Sequence, residues 1–165
     1  MHTNEDLLKL VEEIAAKYNL DAALVKAIIA VESGWVETAM RFEPKLYEKY
    51  CLKASSIKPH TAETKATTLV LMATSLGLMQ ILGSTAQSLG YKDRLCLLLD
   101  PRTNIEYGCK YLAYLRDKYE NQYGIQGVIS AYNAGKPLVN KDGKFMNAEY
   151  VNKVIVVWRQ IYGSV

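Results

Sequence analysis

Ala27-Ile28-Ile29-Ala30-Val31-Glu32-Ser33-Gly34-Trp35 is the stretch on which the chain turns. It reads as the end of a helix with a carboxylate set into its apolar side. At about 100° per residue, Leu24, Val25, Ile28, Ile29, Val31 and Trp35 share one broad face, with Lys26, Ala30 and Ser33 opposite. Glu32 falls near the middle of the apolar group. An ionised carboxylate is costly to bury unpaired, so a group in such a place tends to hold its proton. A carboxylic acid still protonated near neutral pH is what a general acid must be. Two other readings fit the same residues: Glu32 swings out to water from the last turn, or it pairs with a buried Arg.

The helices outward from this stretch follow from periodicity and caps. Residues 5–18 form an amphipathic helix through Leu7, Leu8, Val11, Ile14 and Ala15, with acids in its first turn. Asp21 caps the helix that carries Glu32, and Gly34 ends it. Met40 to Glu43 is a short extended piece, because Pro44 disfavours helix just before it. A short helix is expected over 45–52, a loop at 55–61, and a helix over 63–75 that Gly77 breaks. Ser84 is expected to cap a short helix over 85–89, closed by Gly90. Asp100-Pro101 is a strong helix start, followed by helix to about Tyr119. A further helix covers 125–134 up to Gly135. Asp142-Gly143 marks a tight turn, and 147–162 is the last helix, with Val151, Val154, Ile155, Trp158 and Ile161 inward. The class is mainly α with at most a small β-hairpin. The 165 residues suit one domain over the whole chain.

Composition narrows the function. A net charge of +3 without any Lys/Arg run argues against nucleic acid, and is compatible with a polyanionic polymer such as a bacterial cell wall. Twelve tyrosines against two phenylalanines offer flat apolar area with polar tips, which suits sugar clefts as well as cores that reach the surface. Cys51, Cys96 and Cys109 form no CxxC or Cys/His cluster, so no metal site is expected and buried free thiols are. No stretch has the length of a membrane span. The N-terminal residues carry no basic n-region and no long apolar run, so no export signal is expected in this chain.

Four short segments stand out beside these elements: Glu32-Ser33; Ser75-Leu76-Gly77-Leu78-Met79-Gln80-Ile81; Ala131-Tyr132-Asn133-Ala134-Gly135; and Tyr150-Val151. Each alone reads as well as packing or a helix stop. In this order and spacing they resemble the soluble lytic transglycosylase family, whose fold is like that of goose-type lysozyme. Residues 97–115, with Asp-Pro, Asn-Ile and Gly-x-x-Tyr-Leu, resemble the family's stretch between its second and third motifs. The resemblance covers about residues 20–160.

The resemblance implies a lysozyme-like domain that cleaves the β-1,4 bond between N-acetylmuramic acid and N-acetylglucosamine in peptidoglycan glycan strands, leaving a 1,6-anhydromuramoyl end. It implies no metal or organic cofactor. Glu32 matches the family's single catalytic acid. Gln80 matches the Gln whose amide lines the sugar cleft, with Met79 packed beside it. Ser75 stands where the family has a Ser near the substrate's N-acetyl group. Tyr132 matches a Tyr that hydrogen-bonds near the catalytic Glu, and Asn133 the cleft residue next to it. Tyr150 belongs to the Tyr-Val pair of the last helix. The family commonly follows Glu-Ser with an aromatic, a Pro and an Ala-x-Ser segment. Here the sequence departs from it, so 36–74 is expected to be a distinct insertion shaping one wall of the cleft.

That segment holds two more acids, Glu37 and Glu43. They carry the runner-up reading, a muramidase that hydrolyses the same bond. An inverting hydrolase needs a second carboxylate roughly 6.5–9.5 Å from the acid. Glu43 is the first candidate and Glu37 the second, against a plain surface pair of Glu43 with Arg41 or Lys45. A third reading is a non-catalytic wall-binding or virion structural module. The expected place of action is the bacterial cell wall, periplasmic or extracellular, as a monomer. Delivery would be by a phage lysis or tail route, by another secretion route, or within a longer protein.

Overall fold

The computed structural model describes residues 3–52, 54–61 and 63–163, and these fold into seven α-helices and one three-stranded antiparallel sheet. The class is mainly α, as the periodicity predicts. The chain divides into two compact units, Met1–Val31 with Cys109–Val165, and Glu32–Gly108.

The first unit is helical. α1 (Asn4–Lys17) opens with a capping box, in which the Thr3 side chain accepts from Asp6 N while Asp6 accepts from Thr3 N. α2 (Ala22–Glu32) begins beyond Asp21, whose Oδ1 accepts from Ala23 N at 2.7 Å. The Asp21 carboxylate also accepts from Trp158 Nε1 at 3.0 Å and from the Tyr162 hydroxyl. One acid therefore caps α2 and ties it to α7 (Ala148–Tyr162). We expect Asp21→Ala to lower stability by about 1–3 kcal/mol. A shift of the urea midpoint at constant slope checks this, and a shift below about 0.5 kcal/mol would contradict it.

α6 (Pro101–Ala134) starts in the second unit and continues into the first. Asp100 caps it, accepting from Thr103 N at 2.9 Å. The two helices expected between 101 and 134 are one element broken at Gly124, where φ is 62° and ψ is −174°. Gly135, with φ 79°, ends it. Leu7, Val11, Ile14, Leu24, Val25, Ile28, Ile29, Leu112, Leu115, Val128, Ile129, Val151 and Val154 supply the unit's buried apolar side chains. The Asp142-Gly143 turn is present, closed by a single bridge between Val139 and Phe145 and by Asn140 Oδ1, which accepts from Asp142 N and Lys144 N.

The second unit holds the sheet. β1 (Met40–Phe42) pairs with β2 (Thr74–Leu76), which pairs with β3 (Ile81–Leu82). α3 (Pro44–Cys51) follows β1, α4 (Lys65–Met72) packs against it, and α5 (Gly83–Ser88) packs on α4. Three expectations fail here. The helix predicted over 63–75 stops at Met72, and Thr74–Leu76 joins the sheet instead. Ladder bonds to β1 and β3 capture these residues, which no local pattern records. Ser84 does not cap α5. Leu82 holds the cap position, and the Ser84 hydroxyl bonds the Tyr50 hydroxyl at 2.7 Å. Of the thiols only Cys109 is buried, while Cys51 and Cys96 are exposed.

Candidate active site

Glu32 is the last residue of α2 and the first of the second unit, and it is half-buried. The helix stops there because the chain turns left-handed twice, at Gly34 (φ 58°) and Trp35 (φ 67°). Left-handed backbone is ordinary for glycine and strained for a residue with a bulky side chain. Among the described residues only Asn19, Trp35 and Gln80 are non-glycine residues with positive φ. Two of these three follow Glu32 closely or lie in the Gly-Leu-Met-Gln segment. Such strain gathers where function fixes the backbone.

The Gly77–Gln80 segment is the turn between β2 and β3. Gly77 N donates to Ala39 O at 2.8 Å, and φ at Gly77 is 70°. A Cβ there would lie 2.3 Å from Asn104 Nδ2, so this glycine is required by both torsion and space. Gln80 Nε2 donates to Ala39 O at 3.0 Å and to Gly77 O at 2.9 Å. The side chain thus clamps its own turn to the segment before β1. Both amide hydrogens are spent on backbone, so Gln80 can offer a ligand only its carbonyl oxygen. Met79 is fully buried, and a Cβ on Gly108 would sit 2.3 Å from its sulfur. Without exposed surface, Met79 acts as support for the turn.

Asn104, on α6, figures in the sequence only within the Asn-Ile pair, with no role of its own. It is 0% exposed. Its Oδ1 accepts from Met79 N at 2.7 Å, and its Nδ2 donates to Leu76 O and Leu98 O, each at 2.7 Å. One amide therefore ties together β2, the turn and the segment before α6. The available signal was an Asn beside Ile105 on the buried side of a helix, where a polar side chain needs partners.

Ser75 pairs in register with Arg41 on β1 and with Leu82 on β3, and is 5% exposed. Glu43 follows β1, half-exposed, and Oε1 accepts from Arg41 Nε at 2.7 Å. Of the two partners weighed for a surface pair, Arg41 is the one it takes. Glu37 is half-buried in the turn that leads into β1.

In the first unit, Tyr132 is 8% exposed and its ring lies 5.4 Å from that of Tyr111. Burial pushes the Tyr111 hydroxyl above its ordinary pKa, so it stays neutral and able to donate. Asn133 is exposed, and its Oδ1 accepts from Asn147 Nδ2 at 3.1 Å. Asn147 also donates to Ser130 O at 3.0 Å and accepts from Ser130 Oγ at 2.6 Å. The end of α6 is thereby joined to the start of α7, where Tyr150 sits half-buried. Asn147 had read only as the first residue of the last helix, which in fact starts at Ala148. Its bonds reach back to residues 130 and 133, which spacing alone cannot reveal.

No helix among the described residues is long and apolar enough to cross a membrane. A family model described as transglycosylase SLT domain matches residues 9–154. Over 80 residues the chain is 35% identical to membrane-bound lytic murein transglycosylase F of Pseudomonas fluorescens, covering 46% of this chain and 16% of that protein. The chain therefore corresponds to a small part of that relative's length. The family match runs through parts of both units and takes in Glu32, the Gly-Leu-Met-Gln turn, the Ala-Tyr-Asn-Ala-Gly segment and Tyr150. On that match the chain belongs to the transglycosylase SLT domain family.

Proposed function

We propose that the chain is one lysozyme-like domain, both units included, that acts on the bacterial cell wall as a lytic transglycosylase. The observation that carries this reading is Glu32, half-buried at the end of an apolar helix and inside the matched residues 9–154, where the resemblance implies the catalytic acid. The substrate is the β-1,4 bond between N-acetylmuramic acid and N-acetylglucosamine in peptidoglycan. Glu32 gives its proton to the bridging oxygen as the bond to C1 breaks. The positive charge that develops at C1 is stabilised by the substrate's acetamido group and by polar groups of the protein. Glu32, now a carboxylate, takes the proton of the muramic C6 hydroxyl as that oxygen bonds to C1. The acid is restored, no water is consumed and a 1,6-anhydro ring is formed.

The remaining roles are those the resemblance implies, and the local geometry supports some of them. Gln80, with its amide hydrogens committed, presents an acceptor oxygen to a sugar hydroxyl. Ser75 serves the N-acetyl group. Tyr132 and Asn133 offer polar groups held by the Tyr111 ring and by Asn147, and Tyr150 stands with them. Met79 shapes the turn from within. Glu43 has its ion pair with Arg41, which supports a mechanism with one acid over one in which Glu43 activates water.

The test is the chemistry of the new chain end. Purified peptidoglycan is digested and the muropeptides are weighed before and after borohydride. The expected products are one water lighter than hydrolysis products and unchanged by reduction. Reducible ends would replace this reading with a hydrolase. No products, on a wall that a control enzyme digests, would favour a binding or structural module.

A further inference from the structure

Arg41 lies at the centre of β1, an edge strand, directly opposite Ser75. Side chains of such a cross-strand pair leave the same face of a sheet. Ser75 is 95% buried, and its hydroxyl makes no hydrogen bond among the described residues. Among the described residues it is not one of the fully buried side-chain atoms that lack a partner, so the hydroxyl itself reaches the surface and is open to a ligand. Beside it, the Arg41 side chain is 60% exposed. Its Nε is held by Glu43 Oε1 at 2.7 Å, which orients the guanidinium plane. Nη1 and Nη2 make no other bond among the described residues. A guanidinium with its terminal N–H groups open matches a carboxylate, which it binds with two parallel hydrogen bonds.

Substrate chemistry says which carboxylate this is. On a muramic acid ring the acetamido group is on C2, and the lactyl group that carries the peptide stem is on the adjacent carbon, C3. A side chain next to the one that serves the acetamido group is therefore next to the root of the stem. In intact strands the lactyl carboxyl is tied up as an amide, and the negative charge is on the free carboxylates of the stem. We propose that Arg41 is a specificity-determining residue that binds a stem-peptide carboxylate, with Glu43 as its positioning residue. This rests on the peptidoglycan reading above, including the role given to Ser75. It also gives Glu43 a function other than that of a second acid.

The test uses glycan strands with stems whose carboxylates are either free or converted to primary amides, so that the sugar chain is the same in both. Wild type is expected to favour the free-carboxylate strands by about tenfold in kcat/KM, and to lose part of that preference at high salt. Arg41→Ala is expected to abolish the preference, and Arg41→Lys, which keeps the charge without the fork, to retain a part. The readout is a ratio from one preparation, so partial unfolding of a variant cancels. Wild type cleaving both strands equally, or Arg41→Ala keeping the wild-type ratio, overturns the stem assignment and leaves the peptidoglycan reading standing. Wild type cleaving neither overturns both.

Discussion

Glu32→Gln is expected to reduce formation of anhydromuramoyl products by about 10³-fold or more while leaving the fold intact. The size of the effect comes from a doubled role. The same carboxyl must deliver a proton to the leaving oxygen and then remove one from the C6 hydroxyl. Gln matches its shape and carries no titratable proton, so it can do neither. Stability should change by less than about 1 kcal/mol, because the site is half-buried and the replacement nearly isosteric. Glu43→Gln provides the contrast. A half-exposed ion pair contributes little to stability, so that variant should fold as wild type and lose no more than about fivefold in activity. If Glu43→Gln falls as far as Glu32→Gln, the mechanism uses two acids and the hydrolytic reading takes over. If Glu32→Gln keeps more than a tenth of the activity, the acid is elsewhere. Product yield per unit time, read with the anhydro ends resolved by mass, decides among these.

The sequence discloses what local chemistry determines. Asp21 before an apolar helix and Asp100-Pro101 before another are N-terminal signals whose bonds are made within a few residues, and both are found in place. The motif segments were recognisable as strings for the same reason. What stayed hidden depends on residues distant in the chain. Thr74–Leu76 reads as the tail of a helix until β1 and β3 offer it ladder bonds. Gln80 reads as an amide free to bond a sugar on either side, and only the fold shows its amide hydrogens held by Ala39 O and Gly77 O. Arg41 reads only as a surface partner for Glu43, because its further interest lies in a register that sets it opposite a residue 34 positions later. The exposed thiols of Cys51 and Cys96 show the limit of composition: cysteine is usually buried, and that tendency says nothing about a given position.

Asn104→Ala is expected to be the most destabilising single change on the second unit, at about 3–5 kcal/mol. Three buried backbone groups lose their partners together: Met79 N, Leu76 O and Leu98 O. Each unsatisfied group in a dry site costs about 1–3 kcal/mol, and Asn104 is 0% exposed. Asn104→Asp should be no better. A carboxylate could still accept from Met79 N, but its other oxygen would face the two carbonyls that Nδ2 now bonds, acceptor against acceptor. The same bonds hold the Gly77–Gln80 turn, so activity should fall further than the folded fraction does. Thr103→Ala, one residue away, removes only the hydroxyl's hydrogen bond to the Asp100 cap, keeps the backbone one, and should cost only about 0.5–1 kcal/mol. Urea unfolding of the three variants, with activity measured well below the transition, separates the effects. An Asn104→Ala loss as small as that of Thr103→Ala would mean that water replaces the amide, and that Gln80 and the Gly77 N–Ala39 O bond suffice to hold the turn.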